Sequence, residues 1–265
     1  IVGFLILKSK FLVKKNLFLN SIFETTNKKH FGVYKFSKKI DQNPYALGGN
    51  VIVFPTKVKK FFKNSNFQLL KKLSRIKNKV SAFSTRNIPH IGHNLIQKKI
   101  IKSKKELTIF LILSVKNKYS LKTLIKSYQS LKKNKIFKNI KIFPIYLPTF
   151  FAGPNEAFFQ AKIFENLGYN FFYVGRDHAG FKSFYGKFAS QRIFNKLKSK
   201  IKIIKFNEPM FCKNCNTPII NKFKNKKSCP ICKSKFLSEL NGTDIKSYVK
   251  LKNRVQLSKF LDKEV

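Results

Sequence analysis

The sequence predicts an α/β fold: a mostly parallel sheet with helices on both faces. Three observations lead there. The chain has 265 residues, 43% of them apolar, enough for one medium α/β domain and a smaller module. Short β-prone runs alternate with helical patterns from about residue 80 to 206, at the spacing of β-α-β units. Two motifs containing His, Arg and Gly each lie in the turn after such a run, and open parallel sheets bind ligands beyond the carboxyl ends of their strands.

In chain order, residues 1–55 read as short, irregular β-prone pieces. Pro44 and Gly48–Gly49 predict a turn there, and Val51–Phe54 a strand. Residues 57–73 form a helical pattern. Val80–Phe83 is a short buried strand, followed by a helix from about His93 to Lys102. Leu107–Val115 is the next β run, and Ser120 is placed to N-cap the helix after it. Ile140–Leu147 is a strand. The following helix has Pro154 at its first position, Glu156 in its first turn and Gly168 as its stop. Asn170–Val174 is a strand, Ser190–Ser199 a helix and Ile201–Phe206 a strand. No internal repeat is evident.

A formal charge of +45 points at first to nucleic acid or an anionic membrane. Only five of the 56 basic residues are Arg, however, and a phosphate-gripping surface favours the planar guanidinium fork. Lys, Asn, Ile and Phe are inflated together, Trp is absent and Met occurs once. That is the signature of AT-rich codon drift spread along the chain, so no specific nucleic-acid or membrane partner is expected. Residue types that drift disfavours should survive where physics demands them. Three of the four His (His90, His93, His178) and two of the five Arg (Arg86, Arg176) lie in two short segments, and all four Cys lie within Cys212–Cys232. The opening apolar run before Lys8 is too short to span a bilayer and lacks a cleavable-signal layout. A cytoplasmic, N-terminally shortened chain is expected.

Four motifs carry chemistry. In Thr85–His93, imidazoles on a loop and at a helix N-terminus can donate to α-phosphate oxygens, and Gly92 permits close approach of a nucleotide. Charge builds on those oxygens during attack at phosphorus, and losing one preplaced donor costs roughly 3–4 kcal/mol. In Val174–Gly180, Gly175 and Gly180 allow a tight turn, Arg176 offers a phosphate fork, Asp177 could orient a ribose and His178 adds a donor. Cys212-x-x-Cys215, thirteen residues, then Cys229-x-x-Cys232 has the spacing of tetrahedral thiolate ligation of zinc. With four protein ligands no position is left for water, so that zinc is structural. In Leu240–Val249, a Gly-Thr turn opens a helix with Lys246 one turn in, suited to a leaving pyrophosphate.

Together these motifs resemble the ATP sulfurylase (sulfate adenylyltransferase) family, of the type with a cysteine-zinc insertion. The family's Gln-Thr-Arg-Asn-Pro-x-His-x-x-His stands here as Ser84 to His93, with Ser84 in place of the Gln and Ile88 in place of the Pro. Its Ala-Gly-Pro-x-Glu-Ala spans Ala152–Ala157, and its Gly-Arg-Asp-His-Ala-Gly is intact at 175–180. Its Ser-Gly-Thr-x-hydrophobic-Arg element corresponds to Asn241–Lys246. The resemblance covers about residues 40–265. It implies a Rossmann-like nucleotidyltransferase domain at 56–208, a remnant of an N-terminal PUA-like β domain at 1–55, and at 209–265 a small zinc ribbon followed by the C-terminal part of the catalytic domain.

The implied reaction is in-line attack of sulfate on the α-phosphorus of MgATP, giving adenosine 5′-phosphosulfate and pyrophosphate, or the reverse in ATP formation. The resemblance makes Thr85, Arg86, Asn87, His90 and His93 the catalytic residues. Arg86, Asn87, His90, His93, Gly175, Arg176, Asp177, His178 and Lys246 would bind ATP, and Ser84, Arg86 and Ala179 would meet sulfate. Members commonly assemble, which leaves room for a homo-oligomer. Departures are concentrated at Ser84 and Ile88, at Gln160 where His is usual, and at Lys246 where Arg is usual. Two other readings compete: a catalytically decayed relative, and a nucleic-acid-binding protein built on the zinc ribbon and the Lys excess. The second predicts salt-dependent RNA or DNA affinity that survives loss of His90 and His93.

Overall fold

The computed structural model describes residues 3–54, 72–76, 78–104, 106–113, 119–176, 178–220 and 228–239. The chain divides into two compact units. The first comprises Ile1–Lys77, Pro148–Gln160 and Asp177–Leu197, and the second Asn78–Leu147, Ala161–Arg176 and Lys198–Val265.

In the first unit, β1 (Gly3–Leu12) pairs antiparallel with β2 (Tyr45–Val53). Between them run two helices, α1 (Lys15–Phe23) and α2 (Phe31–Gln42). This corrects two expectations. Residues 1–55 are not irregular β pieces throughout, because Leu19, Phe23 and Val33 line one buried face of the helix pair and pack with Ala152. Nor is Gly48–Gly49 a turn: both lie inside β2, opposite a register shift between Leu7 and Ser9. A Cβ on Gly49 would fall 2.0 Å from the Ile6 carbonyl oxygen, so the glycines serve the close approach of a β-bulge. The ribbon turns large apolar side chains to solvent on both faces, among them Phe4, Leu7, Leu12 and Val51.

The second unit is built on five parallel strands: β3 (Ser81–Thr85), β4 (Thr108–Leu113), β5 (Lys141–Tyr146), β6 (Phe171–Val174) and β7 (Lys202–Lys205). Their order is β5-β4-β3-β6-β7, so the chain winds one way from β3 and the other way from β6. All six residues of β4 are buried, the mark of a central strand covered on both faces. Helices α3 (Ile91–Lys104) and α4 (Leu121–Leu131) follow β3 and β4, and Ser120 caps α4 by accepting the Thr123 N–H at 3.0 Å. Helix α5 (Pro154–Asn166), counted with the first unit up to Gln160, begins at its proline and is followed by Gly168 at φ +83°. Helix α6 (Ala189–Lys196) belongs to the first unit. The helical pattern at 57–73 falls almost entirely outside the described residues, as does Leu240–Val249.

The described residues of the second unit also form a three-stranded antiparallel sheet. It has the order β10-β8-β9, from β8 (Pro209–Cys212), β9 (Thr217–Ile220) and β10 (Leu237–Glu239). Strands β8 and β9 pack on α3, and Ile220 joins the main core there.

Candidate functional site

The winding reverses between β3 and β6, and there the ladder is short. The two strands pair only at Ser81↔Phe171 and Ala82↔Phe172, whereas β3 follows β4 to Thr85 and β6 follows β7 to Val174. The carboxyl ends of β3 and β6 therefore part, opening the crevice in which such sheets bind ligands. The first His motif leaves β3 at this place, and Gly175 and Arg176 leave β6.

The β3 loop is shaped by its own side chains. Thr85 accepts the Asn87 N–H on its hydroxyl at 3.0 Å, closing a tight turn. Tyr128 is fully buried, and burial holds its phenol protonated far above its usual range. His90 caps α3: its carbonyl accepts the Asn94 N–H at 2.8 Å and its Nδ1 accepts the His93 N–H at 3.4 Å. An acceptor Nδ1 puts the proton of the neutral ring on Nε2, so Nε2–H is the donor that His90 offers. The His90 and His93 rings lie 3.9 Å apart at 33°, and Phe83 meets His93 edge-on at 5.4 Å. Gly92 is buried in the first turn of α3. Ser84 and Thr85 are buried on β3, and Arg86 and Asn87 are partly exposed. Thr85, Asn87, His90 and His93 are thus gathered at one helix N-terminus, where the backbone dipole favours an anion.

Arg176 is engaged differently from the phosphate fork the sequence suggests. Its Nη1 donates to Glu208 and, at 3.0 Å, to Glu239. Gly175 has open space where a Cβ would stand. Among the described residues of this turn, the left-handed one is Ala179, at φ 58°, and not a glycine.

In the first unit, Glu156 and Gln160 hold His178. Buried Glu156 accepts the N–H groups of Phe150 and Ala152 on Oε2 at 3.0 and 3.2 Å, and Gln160 donates to its Oε1 at 3.4 Å. Because the carboxylate only accepts, Gln160 turns its oxygen toward His178, whose Nε2 lies 2.8 Å away and donates. Ser190 anchors the same residue by donating to the His178 carbonyl at 2.7 Å, and the Ala179 carbonyl accepts the Gly153 N–H at 3.1 Å. Asp177 and Lys246 lie outside the described residues. Sequence reasoning missed the supporting roles of Glu156, Glu208 and Glu239. The rarity of carboxylates, 11 against 56 bases, was the available signal for the three glutamates.

The four cysteines converge as their spacing predicts, with every sulfur within 4.8 Å of the others. Cys212 and Cys232 are 3.5 Å apart and Cys215 and Cys229 3.7 Å, close to the ~3.8 Å edge of a tetrahedral zinc-thiolate site. Each Cys-x-x-Cys ends in a left-handed residue, Asn216 at φ 50° and Lys233 at φ 59°, and Cys229 Sγ accepts the Ile231 N–H at 3.4 Å. Crowding spreads the thiols apart in acidity. Cys215 is pushed up to about 12, first by desolvation and then by its neighbours' sulfurs, while Cys232 is drawn down to about 6, first by the Asn214 side chain. A donor set of this kind fits one soft divalent cation.

Residues 54–265 match the family model for ATP-sulfurylase. The chain is 28% identical to a sulfate adenylyltransferase of Carboxydothermus hydrogenoformans over 94% of its own length and 66% of that protein's. It is 29% identical to one of Ignicoccus hospitalis and 28% identical to one of Pyrococcus abyssi, in each case over 89% of this chain and 61% and 62% of the relative. The chain therefore spans somewhat under two thirds of the length of these relatives. Among the described residues, no helix is long and apolar enough to cross a membrane. With the family model covering four fifths of it, the chain belongs to the ATP-sulfurylase family.

Proposed function

We propose that the chain carries the adenylyl-transfer site of a sulfate adenylyltransferase. A sulfate oxygen attacks the α-phosphorus of MgATP in line, and pyrophosphate leaves. The observation that carries this reading is the placement of Thr85–His93: two imidazoles and a helix N-terminus at the crevice where the sheet's winding reverses. Family membership supports it.

In this reading the protein forms no covalent intermediate and works by position and charge. Nε2–H of His90, together with His93 and the first turn of α3, stabilises the charge that grows on the α-phosphate oxygens. Thr85 and Asn87 set the loop, Arg86 and Ser84 are assigned to sulfate, as is the Ala179 backbone, and Gly175, Arg176, Asp177, His178 and Lys246 are assigned to the nucleotide. Mg2+ enters with ATP. Zinc on the four thiolates would be structural, and the inter-sulfur distances favour it. Residues 1–55 are read as part of a PUA-like β domain, 56–208 as a Rossmann-like nucleotidyltransferase domain, and 209–265 as a zinc ribbon with the end of the catalytic domain. The reaction is placed in the cytoplasm, where ATP and reduced thiols coexist.

The deciding assay is pyrophosphate release from MgATP, with and without sulfate. The wild type should release it only with sulfate, and His93→Ala should lower kcat by about 100-fold or more. A wild type without sulfate-dependent release ends this reading.

A further inference from the structure

Two of the chain's 11 acidic residues converge on one of its five arginines. Arg176 Nη1 donates to Glu208 and to Glu239 Oε2, and Arg176 and Glu208 are both largely shielded from water. Lys supplies all but five of the 56 bases, so drift alone would have given these carboxylates lysine partners. The guanidinium fork, unlike an ammonium, can be held in a set orientation by two carboxylates.

The glutamates come from the cysteine module. Glu208 immediately precedes β8, and Glu239 ends β10. In the β8–β10 ladder Leu237 pairs with Cys212, Ser238 with Phe211 and Glu239 with Met210. The strand period of two puts Glu208 on the side of Met210, and Glu239 lies across from Met210, so both carboxylates project from one end of the ladder. Cys212, one of the four converging thiols, is at the other end, two residues or about 7 Å along the ladder from the Met210–Glu239 pair. The module's own core is small, formed by Cys212, Ile219 and Cys229. Three strands of three or four residues around such a core need a cross-link to stay in register.

We infer that the cysteine module is a lever whose metal-held end fixes the β8–β10 ladder and whose acidic end, Glu208 and Glu239, positions Arg176 at the carboxyl end of β6. The glutamates are positioning residues: they act through Arg176. Metal status is thereby transmitted to the β6 loop across one short ladder. Its consequence for nucleotide affinity rests on the function proposed above. The coupling itself does not, and it is read without substrate.

The test is hydrogen exchange at the Gly175 and Arg176 amides in the full chain. Four samples are compared: metal-loaded and chelator-treated wild type, and the same pair for the Glu208→Gln/Glu239→Gln variant. Gln keeps the side-chain volume and removes the charge. Chelation should speed exchange at these amides in the wild type by about tenfold or more, the scale of a lost charge-assisted hydrogen bond. The loaded variant should already exchange at the chelated rate, and chelation should add nothing. The β4 amides, Thr108–Leu113, serve as the internal reference and should not move. If the double variant fails to hold metal, Glu239→Gln alone carries the comparison, since that side chain is exposed. The lever is refuted if chelation leaves Gly175 and Arg176 unchanged, or if it speeds β4 equally. Absent sulfate-dependent turnover with the coupling intact would end the proposed function and leave the lever standing.

Discussion

Replacing His30 by Phe keeps an aromatic ring at the centre of the first unit and removes its polar contacts. His30 is fully buried among Phe23, Phe181, Phe184 and Tyr185. Its Nδ1 caps α2 by accepting the N–H groups of Gly32 and Val33 at 3.1 and 3.3 Å, and its Nε2 donates to the Phe151 carbonyl at 3.0 Å. The lost cap costs about 1 kcal/mol and the half-buried Phe151 carbonyl without this donor about 1–3 kcal/mol, so His30→Phe should cost about 2–4 kcal/mol. For a chain of this size that lowers the melting midpoint by roughly 4–16 °C. The pH dependence separates this cause from loose packing. Burial lowers the folded-state pKa of His30 from 6.5, outweighing the raising effect of the Phe151 bond. Below pH 6.5 the unfolded chain binds a proton that the folded chain refuses. Wild-type stability therefore falls as pH drops through 6.5, by up to about 1.4 kcal/mol per pH unit, until the folded-state pKa is reached. The variant lacks this contribution, so its deficit should shrink between pH 7.5 and 5 in thermal melts. A deficit that is constant across that range would refute the capping argument.

Gly153→Ala should destabilise the chain by about 2–4 kcal/mol in the same melts, because φ is +49° and the new Cβ would lie 2.6 Å from the Tyr185 ring. Sulfate should bind more weakly than to a relative with Gln at the position of Ser84, since a serine hydroxyl on buried β3 has too short a reach, and calorimetry on Ser84→Gln should recover affinity. Cys229→Ser should abolish stoichiometric zinc in elemental analysis and lower the melting midpoint, since a structural site loses most of its metal-derived folding energy with one thiolate.

Much of the fold was legible because strand and helix signals are local. Pro154, Gly168 and Ser120 mark α5 and α4 through backbone geometry that any neighbourhood would impose. The ribbon and helix pair of the first unit were not legible. Helix α1 spreads its apolar residues over more than one face, with Leu17 exposed and Leu19 and Phe23 buried, and a glycine pair that serves a bulge has the same signature as a turn. The rule that rare residues survive where they are needed held beyond its first use. His30, the one histidine outside the motif segments, caps a helix inside an aromatic cage.

The sequence by itself determined which residues could do chemistry, because imidazole, guanidinium and thiolate chemistry belongs to the side chain and the Cys spacing belongs to the chain. Only the tertiary structure decided what each one is tied to. His90 became a helix cap with its proton on Nε2, His178 was turned by Gln160 and Glu156, and Arg176 was claimed by Glu208 and Glu239. Such partners lie as far as 63 residues away along the chain. Hydrogen bonds act over about 3 Å of space, and no local pattern records which distant residues the sheets bring within that reach.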